Sequence, residues 1–381
     1  MNLFDTLPPR RLNRIAVSCF FFVAGFCFSS WTSRIPGMQQ KLQLNDAALG
    51  GVLFALPCGL MVSLPLAGWL VAKFGSRLIL ITAAVLYSSI LPVLGFAVET
   101  WQLVTGLFFF GMAGNLFNIS VNTQAIGTES LYGRPIMASY HGLWSLAGFS
   151  GAAIGNLFIS LNWLPWQHWL VITALAWTTI FLMRRHLINR DAGVDEKRPI
   201  FARPDRSLIN LGIIAFCSMV CEGTMFDWSN VYFHKVILPP KALAGIGLAA
   251  FMSTMAAGRF FGDWVATRLG VRRILQISGI LTAAGLLVAI AFPWLLPALL
   301  GFLLVGAGVS SVVPLVYSAA GRSKRLSPGV ALAAVSTLGY LGFLFGPPFI
   351  GFIAQLSSLR VSLGLIAILG ATIALFASKI E

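Results

Sequence analysis

The chain has 381 residues, 57% of them hydrophobic and only 10% charged, against about a quarter charged in soluble globular proteins. Polar groups are too few to cover that much apolar surface in water, which excludes a soluble globular protein and makes lipid the expected solvent. The formal net charge of +14 does not mark a nucleic-acid binder, because Lys and Arg stand in short clusters between apolar runs and not on one solvated face.

A helix needs about 20 mostly apolar residues to cross the hydrocarbon. Twelve such runs follow one another. The first covers 13–33 and is led by "RRLNRIAVSCFFFVAGFCF", the charge-then-apolar order of a signal peptide. No small-residue cleavage site follows, and further spans come after it, so it is read as a retained span. It carries Ser30 and Trp31, with Arg34 just beyond. The second and third cover 46–73 and 77–98. The fourth, 101–126, holds Asn115, Asn118 and Asn122 at i, i+3 and i+7, which places three amides on one stripe. Such a stripe is expected to face a cavity or a neighbouring helix, and amides suit hydroxyl-rich solutes. The fifth, 135–161, repeats the spacing with His141, Trp144, Ser145 and Gly148; His141 is a proton-relay or solute candidate. The sixth covers 166–184.

Residues 184–206, "RRHLINRDAGVDEKRPIFARPDR", carry both charge signs and two prolines. They read as a cytoplasmic linker between a six-helix bundle over 1–183 and a second over 207–381. The seventh span, 207–235, contains "CEGTMFDWSN". Ionisable groups inside a membrane are expensive and usually face a partner or a wet cavity. Glu222 lies about 22 Å along this span and Asp227 points about 140° away from it, so the two acids are expected to do different jobs. Glu222 is the proton-carrier candidate, with a permanent structural ion pair as the alternative. Asp227 is expected to gate the outer mouth with Arg34. Trp228 follows. The eighth span, 243–268, offers Arg259 and, at i+4, Asp263. Arg259 could stretch to Glu222, but the structural pair Arg259–Asp263 is favoured. After a ninth span, 272–292, the tenth, 295–320, holds Ser311, Pro314 and Tyr317. The eleventh, 328–356, carries Ser336, Thr337, Tyr340 and "GPPFIG", read as a kink and packing site. The twelfth covers 359–379.

With the N-terminus inside, 20 of the 26 Lys and Arg fall on the cytoplasmic side and five on the other. This bias places both termini in the cytoplasm of an inner (cell) membrane. The halves also match at an offset of 195: Trp69 with Trp264, Gly75 with Gly270, Arg77 with Arg272, Gly106 with Gly301 and Gly111 with Gly306. Parallel repeats of six spans are a transporter architecture with a midplane solute site. The five cysteines lie within apolar runs without C-x-x-C spacing, so no metal site, disulfide framework or cofactor is expected. No phosphate-cradling loop or nucleophile elbow occurs, which argues against an ATPase or another enzyme.

"GWLVAKFGSR" (68–77) resembles the loop motif G-x-x-x-D-R-x-G-R-R of the major facilitator superfamily, through Gly68, Lys73, Gly75 and Arg77. "DWVATRLGVRR" (263–273) is similar to its second-half copy, through Arg268, Gly270 and Arg272. Ala72 and Thr267 stand where the family usually has aspartate, which removes the usual charge relay. "SSWTSRIPG", "HGLWSLAG", "EGTMFDW", "MAAGRFFGDW" and "GYLGFLFGPPFIG" further resemble a bacterial YbjJ-type branch. The resemblance implies an all-α membrane protein of twelve transmembrane helices in two pseudo-symmetric six-helix bundles. It implies a cavity lined by the first, fourth, seventh and tenth spans, hence by Ser30, Trp31, Asn115, Asn118, Glu222, Asp227, Trp228, Ser311 and Tyr317. The motif positions and Arg34, Arg259 and Asp263 are then gating or structural. The reading is a monomeric secondary transporter, moving a small polar solute such as a sugar together with protons. An exporter of amphipathic drugs or lipids, or a non-transporting sensor, are the alternatives.

Overall fold

The computed structural model describes residues 8–132, 136–189, 206–321 and 328–380. The segments between them lie outside it, and with them most of the 184–206 linker; so do some side chains within helices, that of Asp263 among them. Every regular element in the described residues is helical. Fourteen α-helices run α1 Pro9–Thr32, α2 Ile35–Lys41, α3 Asp46–Phe74, α4 Ser76–Gly95, α5 Thr100–Tyr132, α6 Met137–Ser160, α7 Pro165–Met183, α8 Arg206–Tyr232, α9 Ile246–Leu269, α10 Val271–Ala291, α11 Leu295–Val309, α12 Val312–Gly321, α13 Pro328–Leu356 and α14 Leu359–Ala377. Ten helical stretches among the described residues are long and apolar enough to cross a membrane. Ile246–Gly262 is a shorter apolar stretch, and the 19-residue α7 completes twelve spans, because α1 with α2 and α11 with α12 each form one.

Local chemistry sets the ends. Proline opens α1 and α7 at the first helical position, where its missing N–H removes no bond and its φ is already helical. In α7 the Gln167 side chain accepts from the Leu164 N–H at 2.9 Å, capping the end. The expected tenth span is one run, but the structure breaks it at Ser310–Ser311. Pro314 cannot donate to the Ser310 carbonyl, and its ring crowds that carbonyl, so a new helix starts with proline in its first turn. The seventh span likewise ends differently: α8 passes into a π-helical turn, Phe233–Ile237, closed by Leu238 at φ 51°. At the first span, α2 follows a turn at Ser33–Arg34, with Pro36 again in the opening turn.

Contacts divide the chain into two compact units, Met1–Gly37 with Ala55–Asp195, and Met38–Phe54 with Glu196–Glu381. In the first unit α1 packs on α6, and α4 on α5 and α7. In the second, α8 packs on α13 and α14, and α10 on α11 and α14. Its core gathers Leu208, Leu211, Ile214, Ile274, Val312, Val316, Val335 and Ile373, all buried. The α3 helix contributes to both units: its first nine residues cluster with the second, the remainder with the first.

The internal repeat has a physical basis in close packing. A Cβ on Gly111 of α5 would strike the Leu56 carbonyl of α3, and one on Gly306 of α11 would strike the Phe251 carbonyl of α9. Leu56 and Phe251 are themselves 195 apart. Each unit thus brings two helix backbones together at the same internal position, as small residues do in membrane bundles. The loop motif also repeats in geometry. Gly75 at φ 81° opens α4 and Gly270 at φ 77° opens α10, a left-handed backbone that disfavours any residue with a Cβ.

Candidate functional site

The second unit places a buried ion pair in its interior. Glu222 of α8 and Arg259 of α9 meet at 3.1 Å between Oε1 and Nη2, with side chains 8% and 14% exposed. The long side chains do stretch across the two antiparallel helices. The favoured partner, Asp263, lies outside the described side chains. The buried part of α8 carries many polar side chains for a core helix. Ser218, Thr224, Ser229 and Asn230 are all buried with Glu222. Thr224 donates to the Val220 carbonyl at 2.7 Å and Asn230 Oδ1 accepts from the Leu248 N–H at 3.4 Å. Ser218 Oγ, Trp228 Nε1, Ser229 Oγ and Asn230 Nδ2 are buried with no hydrogen-bond partner among the described residues. Unpaired donors of this kind are costly in a core.

Asp227 is half-buried on α8 and does not share the contact of Glu222, in keeping with the angle between them. Ser311 and Tyr317 are half-buried at the α11–α12 break, and Tyr317 packs against the apolar core. Ser310 donates to the Ala307 carbonyl at 2.8 Å and stands 3.5 Å from Ser311 Oγ.

In the first unit the amide stripe divides. Asn115 is 2% exposed and donates to Ser63 Oγ of α3 at 3.0 Å, a helix-to-helix bond. Asn118 is exposed, and Asn122 donates to its Oδ1 and its carbonyl, both at 2.8 Å. The α6 face divides too: Ser145 and Gly148 are buried, Trp144 is half-buried beside Phe28, and His141 is exposed, edge-on to Phe21. Helical spacing alone could not show where that stripe crosses from packing to open surface. The Ser30 hydroxyl is engaged by its own helix, donating to the Phe26 carbonyl at 2.7 Å. Trp31 is buried 5.9 Å from Trp169, its Nε1 unpartnered, like that of Trp228.

Arg34, expected to gate with Asp227, has two partners within its own unit. It is 6% exposed. Its Nε donates to His168 Nδ1 at 3.3 Å and its Nη1 to the Trp163 carbonyl at 3.0 Å. Phe158 stacks on the His168 ring at 4.8 Å. Sequence reasoning missed this cluster because its members are 134 residues apart and His168 opens a span that otherwise reads as plain lipid-facing helix.

At the loop motif, Lys73 lies over the Trp69 and Phe74 rings at 4.6 and 5.3 Å. Arg77 donates to Asn189 Oδ1, so an amide receives the guanidinium. Gln124 ties the same region together, donating to Ser76 Oγ and the Ile188 carbonyl at 2.7 and 2.9 Å. Gly68, Arg268 and Arg272 are exposed.

A family profile described as Major Facilitator Superfamily matches residues 238–380. An uncharacterized MFS-type transporter of Yersinia pestis is 33% identical over 370 residues, covering 97% of this chain and 96% of the relative. The chain belongs to the major facilitator superfamily. The fold agrees: a bacterial homologue of the human lysosomal transporter Spinster, inward-facing and occupied, superposes with a TM-score of 0.76 over 99% of this chain and 98% of that one at 15% identity. A D-xylose–proton symporter superposes with a TM-score of 0.75 over 96% of each chain at 16% identity. This superfamily member is therefore an all-α, multi-pass membrane protein of transporter type and not an enzyme.

Proposed function

We propose that this superfamily member is a secondary transporter that carries a small polar organic solute, a sugar being the favoured class, together with protons by alternating access. Both termini are assigned to the cytoplasm of the bacterial inner membrane. The observation that carries the proposal is the Glu222–Arg259 pair at 3.1 Å, set on a helix whose buried Trp228, Ser229 and Asn230 present unpaired donors. A carboxylate shielded from water but matched by one cation can exchange that partner for a proton. Neighbouring donors without protein acceptors suit the hydroxyls of a solute. The likeness to a D-xylose–proton symporter in fold is in keeping with a sugar.

Within this reading Glu222 is the proton carrier and Arg259 its counter-charge. Trp228 is a solute contact on α8, and Trp31 and Asn118 are the corresponding contacts on α1 and α5. His141 and Asp227 stand at open or half-open positions, and a role for them in proton passage belongs to the same proposal. Asn115 is assigned to packing, because its amide donates to Ser63. Glu222→Gln tests the reading. Proton-driven uptake in proteoliposomes should vanish while solute counterflow persists. Uptake still driven by a pH gradient would remove Glu222 from the coupling.

A further inference from the structure

At the end of the first unit where α1 begins, three arginines converge, none of them ion-paired with an acid among the described residues. Arg10, Arg11, Arg14, Ile15 and Tyr132 line an open cavity of about 520 Å³. At 100° per residue the three arginines share a 100° face of α1. Tyr132, the last residue of α5, holds the cluster in place. The guanidinium carbons of Arg10 and Arg14 lie 5.9 and 5.4 Å from its ring centroid, and its hydroxyl donates to the Arg10 carbonyl at 3.3 Å. Arg14 also donates to Ser139 Oγ of α6 at 3.4 Å.

Neither ion pair among the described residues includes these arginines. Glu129, one turn before Tyr132, caps α6 by accepting from the Ile136 and Met137 N–H groups at 2.7 and 2.9 Å through Oε2. The first turn of α1 contains no acidic residue. Like charges at i, i+3 and i, i+4 repel, and the positive end of the helix dipole adds to them. Two guanidiniums on an aromatic brace with a third beside them, around an open space, match the oxygens of a phosphate.

We propose that this cavity binds the phosphate-bearing headgroup of an anionic phospholipid. The lining decides between a lipid and free phosphate. Ile15 forms one wall and is 36% exposed, and α1 continues from it into its apolar span. A lipid phosphate held by the arginines has its glycerol and acyl chains leaving along that apolar side. Free inorganic phosphate would make no use of it. Basic pockets at helix ends are known lipid sites in membrane proteins generally.

Native mass spectrometry of the full-length protein tests this, with phosphatidylglycerol or phosphatidylcholine titrated into the detergent. Each basic residue near an anionic surface contributes roughly a factor of five in affinity. Arg10→Gln/Arg11→Gln/Arg14→Gln should therefore lose its tightest phosphatidylglycerol by on the order of 100-fold, with phosphatidylcholine unchanged. Tyr132→Leu, which keeps all three charges, should lose a smaller part. A control removing an equally exposed basic pair elsewhere, Arg272→Gln/Arg273→Gln, should leave the tight lipid in place. Equal loss in that control would reduce the site to general surface charge and overturn the proposal. So would full retention of phosphatidylglycerol by the triple variant. Displacement of the lipid by millimolar inorganic phosphate would assign the cavity to the free ion instead.

Discussion

Removing one member of the Glu222–Arg259 pair should cost far more than removing both. At 3.1 Å and an effective dielectric near 20, the Coulomb attraction is about 5 kcal/mol. That is close to the roughly 3–5 kcal/mol lost when a buried pair is broken from one side. With side chains 8% and 14% exposed, water can offset little of it. Glu222→Met takes the buried carboxylate away from a guanidinium that keeps its charge at any accessible pH, so it should lose about 3–5 kcal/mol. Arg259→Met strands a carboxylate, which a proton can neutralise, so its loss should be smaller. The double variant, packing two apolar side chains of similar length, should lie within about 1–2 kcal/mol of the parent. Unfolding by SDS titration in mixed micelles measures all three. Together they should give a coupling energy of at least about 2 kcal/mol. Additive losses, within about 0.5 kcal/mol, would mean that the two side chains do not depend on each other.

The repeat should show in packing as well. Gly111→Ala and Gly306→Ala each drive a Cβ into a facing backbone carbonyl and should each cost about 1–3 kcal/mol. Gly68→Ala, with open space around it, should be neutral in the same titration. Asp46 and Lys235, 2.5 Å apart in the second unit, form a partly exposed pair worth under about 1 kcal/mol. Asp46→Asn/Lys235→Met should therefore unfold within about 1 kcal/mol of the parent in the same titration, and a larger loss would show that the pair is better shielded from water than its exposure implies.

Much of the architecture is legible in the sequence, because the bilayer imposes a length and a composition that leave few alternatives. Helices α3, α13 and α14 start where the apolar runs start, after Asn45, at Pro328 and after Ser358. The 195-residue offset is visible because close helix contact and left-handed turns both demand glycine, at Gly111 and Gly306 and at Gly75 and Gly270. What stays hidden is of two kinds. Breaks inside an apolar run depend on backbone bonds that hydropathy does not register, as at Ser310–Ser311. Partnerships across the fold carry no periodic trace: Arg34 with His168, and Asp46 with Lys235, join residues 134 and 189 apart. The amides show the limit within one helix. Spacing aligns Asn115, Asn118 and Asn122, but only the position of Ser63 on α3 tells that Asn115 is engaged in packing and Asn118 is not.

The central claim is that solute and proton move together. It is tested most directly by purified protein in proteoliposomes with an entrapped pH-sensitive dye, to which pentoses, hexoses and polyols are added in turn. The account predicts that at least one of them shifts the internal pH in the wild-type protein and leaves it unchanged in Glu222→Gln. Solute entering wild-type vesicles with no proton movement, or no entry of any member of the panel, would contradict it.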